Sequence, residues 1–122
     1  MQILIIGAGP IGMEYIRICR DQGLECGGVT RTAKTAADVA EAFADLEVHH
    51  GGLDAYLAEH SPPPAAIIAT PVQLLAPLTE LLIHAGVTSL LVEKPGGLTP
   101  STACRVATTA AEKDADVWVA YN

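Results

Sequence analysis

The chain opens on an apolar run, Gln2-Ile3-Leu4-Ile5-Ile6, that passes without a spacer into Gly7-Ala8-Gly9-Pro10-Ile11-Gly12. Such a run reads as a strand buried on both faces, and helical signals follow it, so the glycines stand at a strand-to-helix turn. Each glycine has its own local reason. Gly7 makes the tight turn off the strand, Gly9 removes a side chain where a neighbour must come close to the backbone, and Gly12 lets the helix approach the sheet. Pro10 follows Gly9, a plausible N-cap, and so takes the first helical position, where its fixed φ fits and its missing N–H is no loss. The free N–H groups of that helix end attract an anion. The spacing suits the pyrophosphate of a dinucleotide, with Gly7, Gly9, Pro10, Ile11 and Gly12 as contacts. The same residues also suit a turn that uses glycine only for tightness. The strand before it and the helix after it favour binding.

The rest of the chain repeats this alternation. Ile/Val/Leu-rich runs at Ile3–Ile6, Cys26–Val29, Leu46–His49, Ala66–Ala69, Val87–Val92 and Val117–Ala120 are separated by helical stretches. That order predicts an α/β chain with a doubly wound, parallel six-stranded sheet of the Rossmann type, strand order 3-2-1-4-5-6, with helices on both faces. The first helix is expected from Pro10 to about Gln22, stopped by Gly23, with Ile11, Tyr15, Ile18 and Cys19 on one face. A second is expected over Thr35–Ala44 and a third over Leu53–Glu59, cut off by Ser61-Pro62-Pro63-Pro64. Pro77 inside a helix would cost ~3 kcal/mol, so Pro71–Ala76 reads as a loop or short turn and Pro77–Ala85 as the fourth helix, ended by Gly86. The fifth has Thr99 as N-cap and runs from Pro100 to about Lys113.

Composition excludes several classes of partner. The 122 residues carry 14 acidic and 7 basic side chains, a net charge of −7 with no basic patch, so nucleic acid and anionic membrane are poor fits. Met1 opens directly onto a strand, and no apolar run approaches the ~20 residues of a membrane span, so a cytoplasmic location is expected. Cys19, Cys26 and Cys104 are odd in number and lack C-x-x-C spacing; they read as small hydrophobes rather than disulfide or zinc ligands. His49-His50 point apart at a strand end, and nothing completes a ligand set, so no metal is expected. His84 complements a helix dipole, and Asp54, Glu80 and Asp114 read as solvated helix faces.

The end of the second strand bears on the cofactor. An acid roughly 20 residues after the glycine fingerprint accepts the ribose 2′-hydroxyl of NAD and repels a 2′-phosphate. Here that place holds Val29-Thr30-Arg31-Thr32-Ala33-Lys34, and the next acid is Asp38. Thr30 and Thr32 can donate hydroxyl hydrogen bonds and Arg31 can face a phosphate, so NADP(H) is expected over NAD(H). Arg31 would equally suit an exposed surface position.

Two further segments, Ala69-Thr70-Pro71 and Glu93-Lys94-Pro95-Gly96-Gly97, follow the fourth and fifth strands. Together with the glycine fingerprint they make the whole chain resemble the cofactor domain of the Gfo/Idh/MocA oxidoreductases, which share a strand-end Thr-Pro and a Glu-Lys-Pro signature. The resemblance implies that Thr70 and Pro71 lie along the nicotinamide ribose. It implies that Glu93, Lys94 and Pro95 line the nicotinamide end, with Lys94 as the catalytic group near a substrate hydroxyl and Pro95 fixing where it points. A lysine there suits hydride transfer, since it can take a proton or stabilise an alkoxide. One departure is Val72-Gln73-Leu74-Leu75, where many members have Asn and His after Thr-Pro.

The other departure is length. Members carry a second domain that forms the substrate pocket, so residues 1–122 are expected to be an NAD(P)-binding domain lacking its C-terminal substrate domain, truncated and inactive alone on the sugar-like or cyclitol substrates of the family. Exposed apolar surface near the sixth strand would then favour a homo-oligomer. The rival reading is a non-catalytic module that senses NADP(H) or another nucleotide, or assembles with a partner chain.

Overall fold

A computed structural model describes residues 1–121. Eleven elements alternate along the chain: β1 (Ile3–Ile6), α1 (Pro10–Asp21), β2 (Cys26–Val29), α2 (Ala33–Ala42), β3 (Glu47–His49), α3 (Gly52–Glu59), β4 (Ala65–Ile68), α4 (Val72–His84), β5 (Ser89–Glu93), α5 (Pro100–Glu112) and β6 (Asp116–Ala120). The strands form one sheet in the order β3-β2-β1-β4-β5-β6, and every pairing is parallel. The expected Rossmann topology holds in full.

Strand alternation divides the core into two layers. Leu4 and Ile6 of β1, Ile68 of β4 and Leu90 and Val92 of β5 pack with residues of α3, α4 and α5. Ile5, Ile67 and Leu91 face the other way, with Ile16 and Cys19 of α1 and Val39 of α2. Burial of these side chains on both faces is what the continuous apolar strands encode. Three helices cover one face and two the other, which leaves β5 and β6 thinly covered on the α1 side. Trp118, in register with Leu91, is accordingly 64% exposed.

Several boundaries differ from the sequence reading for identifiable reasons. The buried stripe of α1 is Gly12, Ile16 and Cys19, and Ile11 and Ile18 are 51% and 54% exposed. Gly12 sets this rotation, because the helix touches the sheet there and the residues at i+4 and i+7 follow it inward. Helix α2 starts two residues early because the Thr32 hydroxyl accepts the Thr35 N–H at 3.1 Å and caps it. Val87 belongs to no strand: its N–H closes α4 on the Leu82 carbonyl, beside Gly86 at φ +98.

The main correction concerns α4, which begins at Val72 and runs straight through Pro77. Pro77 and Gln73 are both exposed, so the Gln73 carbonyl that the proline cannot pair faces water. The opposite side of the helix buries Leu75, Ala76, Thr79, Leu82 and Ile83. Burying a Leu or Ile side chain is worth about 1.5–3 kcal/mol each, so the helix survives its proline. No helix among the described residues is long and apolar enough to cross a membrane.

Candidate cofactor site

The glycine loop has the three-part geometry its spacing implies. Gly7 has φ +99, and a Cβ there would lie 2.4 Å from the Ala69 carbonyl oxygen, so only glycine fits the turn off β1. A Cβ on Gly12 would lie 2.2 Å from the Gly7 carbonyl oxygen, which shows how closely α1 rests on the strand end. Gly9 is different. Nothing lies within 4 Å of a Cβ placed there, so its missing side chain serves open space in front of the loop, not packing. Pro10 takes the first position of α1, and Gly9 caps it without a side-chain acceptor, leaving that turn's N–H groups available to an anion.

A cavity of about 440 Å³ opens beside this loop, bordered by Gly7, Ala8, Thr30, Arg31, Gly52, Asp54, Thr70 and Pro71 among others. The structure thus gathers residues from the ends of β1, β2 and β4 and from the start of α3 at the point where strand order reverses, the usual ligand crevice of an open α/β sheet. The Thr30 hydroxyl donates to the Thr32 carbonyl at 3.0 Å and lies 3.4 Å from that of His49, so its proton is used within the protein. Thr32 is occupied in capping α2. Of the three polar residues read at this strand end, Thr30 is buried and Thr32 and Arg31 are exposed, and Arg31 is the one whose side chain makes no hydrogen bond or ion pair among the described residues.

Sequence reading missed Asp54 and the Gly51-Gly52 turn as parts of this cavity. The signal was the strand order itself: β3 lies beside β2, so residues that follow β3 must stand next to those that follow β2. The Gly52 N–H accordingly bonds the Thr30 carbonyl at 2.9 Å.

Thr70 supplies the test of whether a bound group fits. Its Oγ1 is buried and has no hydrogen-bond partner among the described residues, an arrangement that costs about 1–3 kcal/mol unless something outside the protein supplies the bond. The next strand end carries Glu93, whose Oε1 accepts a 2.5 Å hydrogen bond from the Tyr15 hydroxyl of α1. Burial first, and then the Glu93 bond and charge, push the Tyr15 phenol up to about 12. Lys94 is exposed and makes no ion pair among the described residues, and the Lys94–Pro95 bond is cis. Glu93, Lys94 and Pro95 do not border this cavity, and Pro95 borders a separate one formed with α5 and β6.

His49 and His60 form a separate cluster with Tyr56. His49 packs edge-on against Tyr56 and His60, with ring centroids 5.0 and 4.6 Å away, and its Nε2 lies 2.8 Å from Glu47. Among the described residues no group of three His, Cys, Asp or Glu side chains is placed to hold a metal.

Residues 1–121 match the family model described as "Oxidoreductase family, NAD-binding Rossmann fold". The chain belongs to the Gfo/Idh/MocA oxidoreductases. Similar solved structures include GenD2 from gentamicin A biosynthesis in complex with NAD, at 25% identity and a TM-score of 0.83 over 98% of this chain and 34% of that one. Another is the UDP-N-acetylglucosamine 3-dehydrogenase GnnA from Acidithiobacillus ferrooxidans, at 28% identity and a TM-score of 0.79 over 98% and 37%. An oxidoreductase from Agrobacterium radiobacter in complex with NAD+, L-tartaric acid and magnesium shares the fold at 23% identity and a TM-score of 0.86 over 98% and 34%. Among curated proteins none matches. The Gfo/Idh/MocA chain described here therefore spans about a third of the length of the solved structures it matches.

Proposed function

We propose that this chain is the NADP(H)-binding domain of an oxidoreductase that moves a hydride to or from an alcohol or carbonyl carbon of a sugar-like or cyclitol substrate. The observation that carries the reading is the crevice itself. A glycine loop with open space in front of Gly9, the buried and unpartnered Thr70 hydroxyl, and an exposed lysine stand at the ends of three adjacent strands. The likeness to a UDP-N-acetylglucosamine 3-dehydrogenase supports the substrate class.

When bound, the nicotinamide would accept or donate the hydride. The N–H groups at the start of α1 would hold its pyrophosphate, and Thr70 and Pro71 would border the ribose next to the ring. Lys94 would hold a proton at Nζ for the substrate oxygen or stabilise the alkoxide as it forms. Arg31 would meet the 2′-phosphate with a planar, permanently charged fork, which is why NADP(H) is preferred in this reading. A second domain would position the substrate, so the isolated chain would bind cofactor and turn over little. The thin cover over Trp118 would make that face a contact with such a domain or with another copy.

Titration of the chain with NADPH and NADH, followed by nicotinamide fluorescence, tests the cofactor reading. Tighter NADPH binding is expected, and tighter NADH binding would overturn the preference. Substantial oxidation of sugar alcohols by the isolated chain would overturn the need for a second domain.

A further inference from the structure

Asp54 has no part in the reading above, yet its place in the cavity is specific. It lies in the first turn of α3, is exposed, and among the described residues makes neither an ion pair nor a side-chain hydrogen bond. Arg31 borders the same cavity with opposite charge, and the two do not pair. An ionised carboxylate only accepts hydrogen bonds, so a ligand group facing Asp54 must be a donor.

The sheet order says which part of a dinucleotide that is. Successive strand ends are spaced by about 4.8 Å. The glycine loop, which suits the pyrophosphate, follows β1; Arg31, which suits the ribose 2′-position, follows β2; Asp54 follows β3, one strand further out. The order pyrophosphate, ribose, base runs along the same line. Leu53, next to Asp54 in the chain, is buried and borders the same cavity, which gives a flat heterocycle an apolar wall beside the carboxylate.

We propose that Asp54 accepts a hydrogen bond from the 6-amino group of the adenine base, so that this end of the crevice selects adenine over a 6-oxopurine. The inference rests on the dinucleotide reading and names the residue that reads its base. Adenine presents a donor at that position, whereas hypoxanthine presents a carbonyl that the Asp54 carboxylate would repel.

The test compares NADPH with its hypoxanthine analogue, and NADPH with NADH, for the wild-type chain and for Asp54→Ala and Asp54→Asn. The wild type is expected to prefer the adenine form by about 10-fold. Asp54→Ala should bring that ratio to within about two-fold, and Asp54→Asn, whose amide can also donate, should narrow it as well. In both variants the NADPH-to-NADH ratio should stay as in the wild type. A change in the NADPH-to-NADH ratio instead would assign Asp54 to the ribose and overturn the proposal. Loss of thermal stability with both ratios unchanged would reduce Asp54 to a charge at the start of α3, which also overturns it. Wild-type binding of NADPH without base discrimination removes this inference alone, whereas binding of no dinucleotide at all removes the cofactor reading with it.

Discussion

The Tyr15 hydroxyl on α1 donates a 2.5 Å hydrogen bond to the Glu93 carboxylate at the end of β5, joining the helix that follows the glycine loop to the residue that precedes Lys94. The bond spans 78 positions in sequence and ties α1 to the end of β5. Glu93 is thereby held in one place, and Lys94 follows it on a short leash.

This bond predicts an alkaline signature. The Tyr15 phenol titrates at about 12 when folded and near its ordinary value of about 10 when unfolded, so the folded state holds the proton more tightly. Its contribution to stability is complete below about pH 10 and is lost as pH rises through about 12. Melting temperatures measured across that range should fall less steeply in Tyr15→Phe than in the wild type. At neutral pH the variant should lose about 1 kcal/mol, since the pair is only partly buried. Parallel alkaline slopes in the two proteins would show that the bond does not hold in solution.

Gly9 and Gly12 should respond to alanine in opposite ways. Gly12→Ala pushes a methyl into the Gly7 carbonyl and should lower stability by about 1–3 kcal/mol, while Gly9→Ala enters open space and should leave the melting temperature nearly unchanged. Dinucleotide affinity, measured by calorimetry, should nonetheless fall at least about 10-fold in Gly9→Ala, because its cost appears only when the phosphates approach. Unchanged affinity in Gly9→Ala would place the pyrophosphate elsewhere.

Thr70→Val should separate folding from binding. Removing a buried hydroxyl that has no partner should leave the chain as stable or more stable by up to about 1 kcal/mol. The same change should weaken cofactor binding, by about 10-fold if the cofactor supplies the missing bond. Thermal melts with and without NADPH check both halves.

Arg31→Ala should lower NADPH affinity by about 10-fold or more and alter NADH affinity little, since the guanidinium contributes a charge-assisted bond only where a 2′-phosphate is present. Equal losses for both cofactors would instead assign Arg31 to the adenine or to the fold. The ratio is the readout.

Pro77→Ala restores a donor to the exposed Gln73 carbonyl in the second turn of α4. The gain in helix propensity outweighs the lost rigidity of the unfolded chain, so stability should rise by about 1–2 kcal/mol in urea melts. A fall would mean that the proline orders the approach from Thr70 and Pro71 into the helix.

Much of this molecule was readable from local chemistry. Strand composition, Pro10 and Pro100 at helix starts, and Gly23 and Gly86 at helix ends marked ten of the eleven elements to within a few residues, because caps and turns act on immediate neighbours. The alternation of strand and helix then implied the strand order. The Thr70-Pro71 and Glu93-Lys94-Pro95 segments were legible as strand-end residues for the same reason.

Tertiary structure decided what depends on contacts between distant segments. Pro77 stays inside α4 because the buried side of that helix outweighs one missing bond, and a propensity argument has no access to that burial. Gly12 turned α1 so that Ile11 and Ile18 face outward, since the close approach to Gly7 left no other rotation. The Thr30 hydroxyl donates to the Thr32 carbonyl and lies 3.4 Å from that of His49 on the neighbouring strand, and Asp54 joined the cavity from the next strand over. Local sequence sets where elements begin and end; which of their side chains share a crevice is settled only when the sheet brings the strand ends side by side.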